Sequence, residues 1–262
     1  MQPNQLNDGK GPRDEHFWDF LKIYCCPSIT WKYFVVWLSI FDIIYFILEL
    51  SFTDTLTGSF LSPSTQAMIE LGAKYPYKIA QGCVWLLVTA LFLHANFMHI
   101  FMNLICLLMW GTGMEKTLGF TKIALLFFIS GVGGNIFSCL LTDSITVGAS
   151  TGVMGVISAY IAFMILNWTA LAGMQFLRCQ MLCITGLIIF YLLFSGLSSS
   201  SSIDTYGHLG GFICGILCGF ALMQPIRIDE NNAKYKKIGI YSLIVFYVGG
   251  LVIFFLARNP LA

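Results

Sequence analysis

Seven runs of apolar residues are set apart by short polar segments, at 33–52, 97–114, 121–141, 149–166, 176–194, 206–223 and 238–257. Each is close to the ~20 residues that a helix needs to cross a hydrocarbon core ~30 Å thick. The pattern predicts an all-α fold, a polytopic transmembrane helical bundle. The apolar stretch from 83 to 110 is too long for one untilted span and is interrupted by His94, Asn96 and His99. Asn96 is a good helix N-cap, so the second span is expected to start at Phe97. Residues 84–93 then belong to a long first loop lying in or against the membrane. Irregular backbone is tolerated at that depth only where protein or a water-filled cavity satisfies it.

Composition agrees with a lipid environment. Of 262 residues, 57% are hydrophobic and 10% charged, against about 25% charged in soluble domains. The balance of 14 Lys+Arg against 13 Asp+Glu lacks the basic excess of a nucleic-acid surface. The polar start, 1–15, does not read as a cleavable signal peptide. Nine cysteines fall mostly in apolar runs without metal-ligand spacing; Cys25 and Cys26, just before the first run, are candidates for S-acylation. With seven alternating spans, eleven Lys/Arg fall on the side of the N-terminus, and only Lys74, Lys78 and Arg258 on the other. The positive-inside rule therefore predicts a cytosolic N-terminus and a lumenal or extracellular C-terminus. The expected organisation is a cytosolic segment 1–32, a six-helix core 33–223, a linker 224–237, and a seventh helix with a short tail, 238–262.

On that topology the reactive polar residues fall on one face. Spans 2, 4 and 6 start from the lumenal side, and near those starts lie His94, Asn96, His99 and Asn103, then Ser150, then His208. His99 and Asn103 are one helical turn apart. Ser150 sits in Gly148-Ala149-Ser150-Thr151-Gly152, followed by Gly155, Ser158, Ala159 and Ala162; Gly211, Gly215 and Gly219 follow His208. Small residues let helices approach closely, so these faces can bring Ser150 to His208. A serine hydroxyl needs such an adjacent base to lose its proton. Oxyanion donors could come from the Asn103 amide, the His99 ring or the Ser150 backbone N–H. Asp204 is the one nearby carboxylate, in an expected loop, which favours a dyad over a triad.

The motifs His94-Ala-Asn96-Phe-Met-His99-Ile-Phe-Met-Asn103, Gly148-Ala-Ser150 and His208-Leu-Gly-Gly211-Phe-Ile-Cys-Gly215 resemble those of the rhomboid intramembrane serine proteases. Gly111-Thr-Gly-Met-Glu115-Lys-Thr-Leu-Gly119 resembles the turn after the second helix in that family. The likeness covers spans 1 to 6, and the seventh span resembles the six-plus-one layout of eukaryotic members. It implies Ser150 as nucleophile, His208 as base, Asn103 and His99 as oxyanion groups, and His94 as a structural group, with Asn96, Gly148, Gly152, Gly211 and Gly215 in support. Two positions depart from the family pattern: Thr151 stands where Gly usually follows the serine, and Met154 replaces an aromatic. A thioether can still contact an aromatic edge.

These features predict hydrolysis of peptide bonds in or near transmembrane helices of single-span proteins, with no cofactor and no metal, in a secretory-pathway or plasma membrane. Residues 198–202 and the first loop are candidates for a lid and a membrane anchor. The alternative is a non-proteolytic relative that binds client helices; such proteins typically lack the dyad. A transporter built on His and Asp42 would be expected to show repeat symmetry. Asp42 has no membrane-embedded acidic partner of the kind an aspartyl protease needs, and is expected to face the bundle. No HExxH string supports a zinc site at His94, His99 and His208. Glu115 is expected to brace a loop.

Overall fold

The computed structural model describes residues 30–53, 60–195, 204–227 and 230–258. The N-terminal segment through residue 29, including Cys25 and Cys26, and residues 198–202 lie outside the described residues. Among the described residues seven long helices follow the apolar runs: α1 Phe34–Ser51, α2 Phe97–Leu118, α3 Phe120–Leu141, α4 Ser150–Leu166, α5 Gln175–Ser195, α6 Thr205–Leu222 and α7 Glu230–Ala257. Among the described residues, α1, α2, α3, α6 and most of α7 are long and apolar enough to cross a membrane; α4 is apolar but has only 17 residues. α7 begins at Glu230, within the stretch expected to be a linker. From Glu230 to Lys237, past Pro225, the chain has neither Gly nor Pro to stop a helix, and Lys234, Lys236 and Lys237 can keep their ammonium groups in water while their stems lie along the helix.

Helix ends are satisfied by side chains from near and far. Asn96 accepts from the His99 N–H at 2.9 Å and starts α2, as expected. Asp204 starts α6 in the same way, accepting from the Gly207 N–H at 2.8 Å. Glu115, buried in α2, accepts the N–H groups of Phe34 and Val35 at 2.6 and 3.1 Å. It therefore caps α1 and does not brace a loop. Midway along α2, residues Leu107–Gly111 widen into π geometry, and the Trp110 carbonyl there is taken by the Tyr160 hydroxyl at 2.9 Å.

α6 is central, packed chiefly on α3, α4 and α7. Its contact with α4 is backbone to backbone. A methyl group at Gly211 would run into the Thr151 carbonyl, and one at Gly215 into the Gly155 carbonyl and the Ser158 hydroxyl. The apolar core between α1, α2, α3, α4 and α6 includes Val35, Leu107, Ile123, Phe127, Val156 and Cys218. The far end of α7 returns to the loop between α3 and α4. There Arg258 bonds the Cys139 carbonyl at 3.3 Å and pairs with Asp143.

The first loop contains short helical turns at Thr65–Leu71, Pro76–Ala80 and Leu86–Thr89. Several of its backbone groups are paired by residues distant in sequence. Asn135 of α3 donates to the Leu87 carbonyl at 2.8 Å, Thr89 to the Gly72 carbonyl at 2.6 Å, and Lys74 and Thr146 exchange backbone bonds at 3.0 and 3.2 Å. Val84, Trp85 and Val88 are exposed.

Candidate active site

The site forms where the starts of α2, α4 and α6 meet. Ser150 is the first residue of α4 and His208 lies in the first turn of α6. Their Oγ and Nε2 atoms stand 2.7 Å apart. His208 is 5% exposed, so its ring is held by protein on nearly every side. This separation is the hydrogen-bond reach that a hydroxyl and its base require. Among the described residues no side chain caps α4, which leaves first-turn N–H groups available beside the Ser150 hydroxyl; the positive end of a helix favours developing negative charge there.

Gly148 sets the approach to Ser150. Its φ of +137° is one that side-chain-bearing residues rarely adopt, and its N–H donates to the Ala90 carbonyl at 2.9 Å. A methyl group here would stand 2.9 Å from His99 Nε2 and 3.3 Å from Ser150 Oγ, so the two side chains face each other across a position that only glycine leaves open. The Ala95 N–H donates to His99 Nδ1 at 3.4 Å. That fixes the acceptor nitrogen and puts the ring N–H on Nε2, toward Ser150. The Asn103 amide donates to the His99 carbonyl at 3.0 Å in its own helix.

Thr151 is buried in the seam between α3 and α6, its side chain against Gly134 and Gly207. The extra bulk after the serine is therefore matched by glycines opposite. Met154 is half-buried on α4, and Gly152 faces the Phe127 ring, which a methyl group would meet at 2.6 Å.

His94 lies just before the cap of α2, fully buried, its ring 5.3 Å from that of His99 and edge-on to it. Its backbone N–H donates to both carboxylate oxygens of Glu49, each at 3.1 Å. Burial, reinforced by the neighbouring His99, drives the His94 imidazole down to about 3. A free histidine titrates near 6.5, so between these values the unfolded chain binds a proton that the native one excludes. Stability is thus fully present above about pH 6.5 and is lost as pH falls toward 3, by up to ~1.4 kcal/mol per pH unit. Thermal unfolding in detergent across that range is expected to show a steeper slope in the wild type than in His94→Phe; equal slopes would refute the assignment.

Four polar residues that the pattern of runs does not single out are part of the surroundings. Glu49, fully buried in α1, holds the first loop through His94. Lys74, Ser138 and Thr146 converge on Asp204. Burial raises the Asp204 carboxyl, but the Lys74 charge and the hydrogen bonds from Lys74, Ser138 and Gly207 outweigh it and hold the group below its ordinary value. Asp42 is fully buried, as expected, and has no hydrogen-bond partner among the described residues.

Comparison with known proteins places these helices. The Rhomboid domain family matches residues 81–225, from the first loop through the end of α6. The chain is 32% identical to RHOMBOID-like protein 7 of Arabidopsis thaliana over 231 residues, covering 80% of this chain and 72% of that one. It is 35% identical to Rhomboid-like protease 1 of Toxoplasma gondii over 203 residues, 77% of this chain and 67% of that one. RHOMBOID-like protein 4 of Arabidopsis is 32% identical over 79% of this chain, which spans about half (53%) of that longer relative. A domain match over more than half of the sequence, borne by the same helices that bring Ser150 and His208 together, shows that this integral, multi-pass membrane protein belongs to the rhomboid family.

Proposed function

We propose that the protein is an intramembrane serine endopeptidase in which Ser150 attacks a peptide carbonyl of a single-span membrane protein and His208 serves as its base. The observation that carries this reading is the 2.7 Å approach of Ser150 Oγ to His208 Nε2 between two different helices. Membership of a family with protease-named relatives supports it. His208 takes the hydroxyl proton as the Ser150 oxygen bonds to the carbonyl carbon, then returns it to the departing amine. Water, deprotonated in turn by His208, releases the acyl group from Ser150.

The oxyanion formed in each step is assigned to the Ser150 N–H at the uncapped start of α4, the His99 Nε2–H and the Asn103 amide. The amide bonds the His99 carbonyl before substrate arrives and would have to turn toward the site. Preorganised donors in a water-poor setting supply the larger part of such stabilisation. A substrate helix must open locally before its carbonyls can be reached, since an intact helix satisfies them internally.

A fluorophosphonate probe tests the pairing with no need for a known substrate. In proteoliposomes the wild type is expected to be labelled at Ser150, and His208→Ala to remain unlabelled though folded. Labelling of His208→Ala at the wild-type rate would refute the reading.

A further inference from the structure

Lys74 has no exposed surface at all, and its ammonium stands 2.8 Å from Asp204 Oδ2 at the start of α6. The same carboxylate accepts from Ser138 of α3 at 2.7 Å, from Thr146 at 2.8 Å and from the Gly207 N–H at 2.8 Å. Lys74 also donates to Ser138. One carboxylate therefore gathers donors from the first loop, from α3, from the loop that runs into Gly148 and Ser150, and from α6 itself. Four residues beyond it, the His208 N–H donates to the Asp204 carbonyl at 2.9 Å. The helical turn that presents the imidazole thus begins on the residue at the centre of this network.

A buried ion pair of this kind contributes little net stability, because removing two charges from water offsets most of their attraction. What it does supply is direction, since each bond is satisfied in one arrangement only. The four donors named above occupy the carboxylate, and none of them is the His208 ring. Its charge reaches that ring through space, while its hold on the ring's position runs through the helical turn.

We propose that the Lys74–Asp204 pair is a positioning device: it locks the first turn of α6 to the first loop and to the approach to α4, and so fixes the His208 ring at the depth and angle that meet Ser150. Lys74 and Asp204 are positioning residues, not catalytic ones. The proposal rests on the Ser150–His208 reading given above.

The test uses the full chain in proteoliposomes with a single-span reporter substrate. It compares wild type, Lys74→Met, Asp204→Asn, the double variant and Ser138→Ala, with Ser150→Ala as blank. Asparagine still caps a helix, so Asp204→Asn removes charge and keeps the cap. A displacement of about 1 Å is worth about 100-fold in rate. Each single charge variant is therefore expected to lose 10- to 100-fold in kcat and in the fluorophosphonate labelling rate of Ser150, with KM changed less than about 2-fold.

The double variant separates direction from charge balance. It carries no unpaired buried charge, yet it is expected to stay as slow as the singles. Recovery of the double variant to wild-type kcat, or a wild-type kcat and labelling rate in Lys74→Met, would overturn the proposal. If Lys74→Met does not fold, Ser138→Ala decides, because it takes bonds from the same carboxylate and leaves both charges paired. A kcat about 3- to 10-fold lower supports the proposal, and an unchanged kcat overturns it. Cleavage by Ser150→Ala equal to wild type would instead sink the underlying dyad, a result distinct from any of these.

Discussion

Replacing Ser150 with alanine is expected to lower cleavage of a reconstituted single-span substrate by at least ~1,000-fold, and His208→Ala to lower it by a similar factor. The two atoms form one hydrogen bond of 2.7 Å, so they act as a unit. Without the imidazole the hydroxyl keeps its proton; without the hydroxyl the imidazole has nothing to activate. The double variant should therefore be no slower than the worse single one, within about 3-fold. Multiplicative losses would mean that the two side chains act independently, and the dyad would have to be abandoned. Ser150 lies at a helix start and alanine is smaller than serine, so the thermal midpoint of Ser150→Ala should stay close to that of the wild type. A collapse of the fold in that variant would make lost activity uninformative, and the labelling experiment with His208→Ala would then carry the test.

Gly211→Ala is expected to have the largest effect on stability, with loss of activity following from it. The added methyl meets the carbonyl and Cα of Thr151, which belong to a helix backbone and cannot rotate away as a side-chain tip could. α4 and α6 must separate, just below the level where Ser150 and His208 meet. Overpacking typically costs ~1–3 kcal/mol, and here the strain falls between the two helices whose spacing determines the 2.7 Å contact. Activity should drop at least 10-fold and the thermal midpoint in detergent should fall by several degrees. Gly186→Ala is the matched control. Among the described residues nothing lies within 4 Å of a methyl group there, and alanine is the better helix former by up to ~1 kcal/mol. If both variants melt together and cleave alike, close approach at Gly211 is not what holds the site.

The helices were legible because membrane spans obey a length rule: an apolar run bounded by polar residues has few other structures open to it. Asn96 showed where the second span starts for an equally local reason, since its side chain bonds the N–H three residues on. The stripe of Gly211 and Gly215 similarly marked the face of α6 that α4 would meet. Long-range polar pairing could not be read in this way. Glu49 is unremarkable at the end of an apolar run until His94, 45 residues away, is seen to donate to it. Lys74 reads as an ordinary loop charge, yet it is buried against a carboxylate 130 residues distant. Glu115 stands out in the sequence as a charge within a span, but its bonds to Phe34 and Val35 join two helices whose order of packing no spacing encodes. Periodicity reports which face of a helix is buried; it does not report which distant group that face meets.

The brevity of α4 has a consequence of its own. Seventeen residues rise ~25 Å at 1.5 Å each, short of a hydrocarbon core ~30 Å thick. Most of its length is wrapped by other helices, so lipid does not have to thin around it. If its lower end reaches the opposite interface, its first residue, Ser150, stops some 5 Å beneath the near one. A hydroxyl set that short distance below the interface lies closer to bulk water than to the middle of the bilayer, and the proposed hydrolysis needs water as its second reactant.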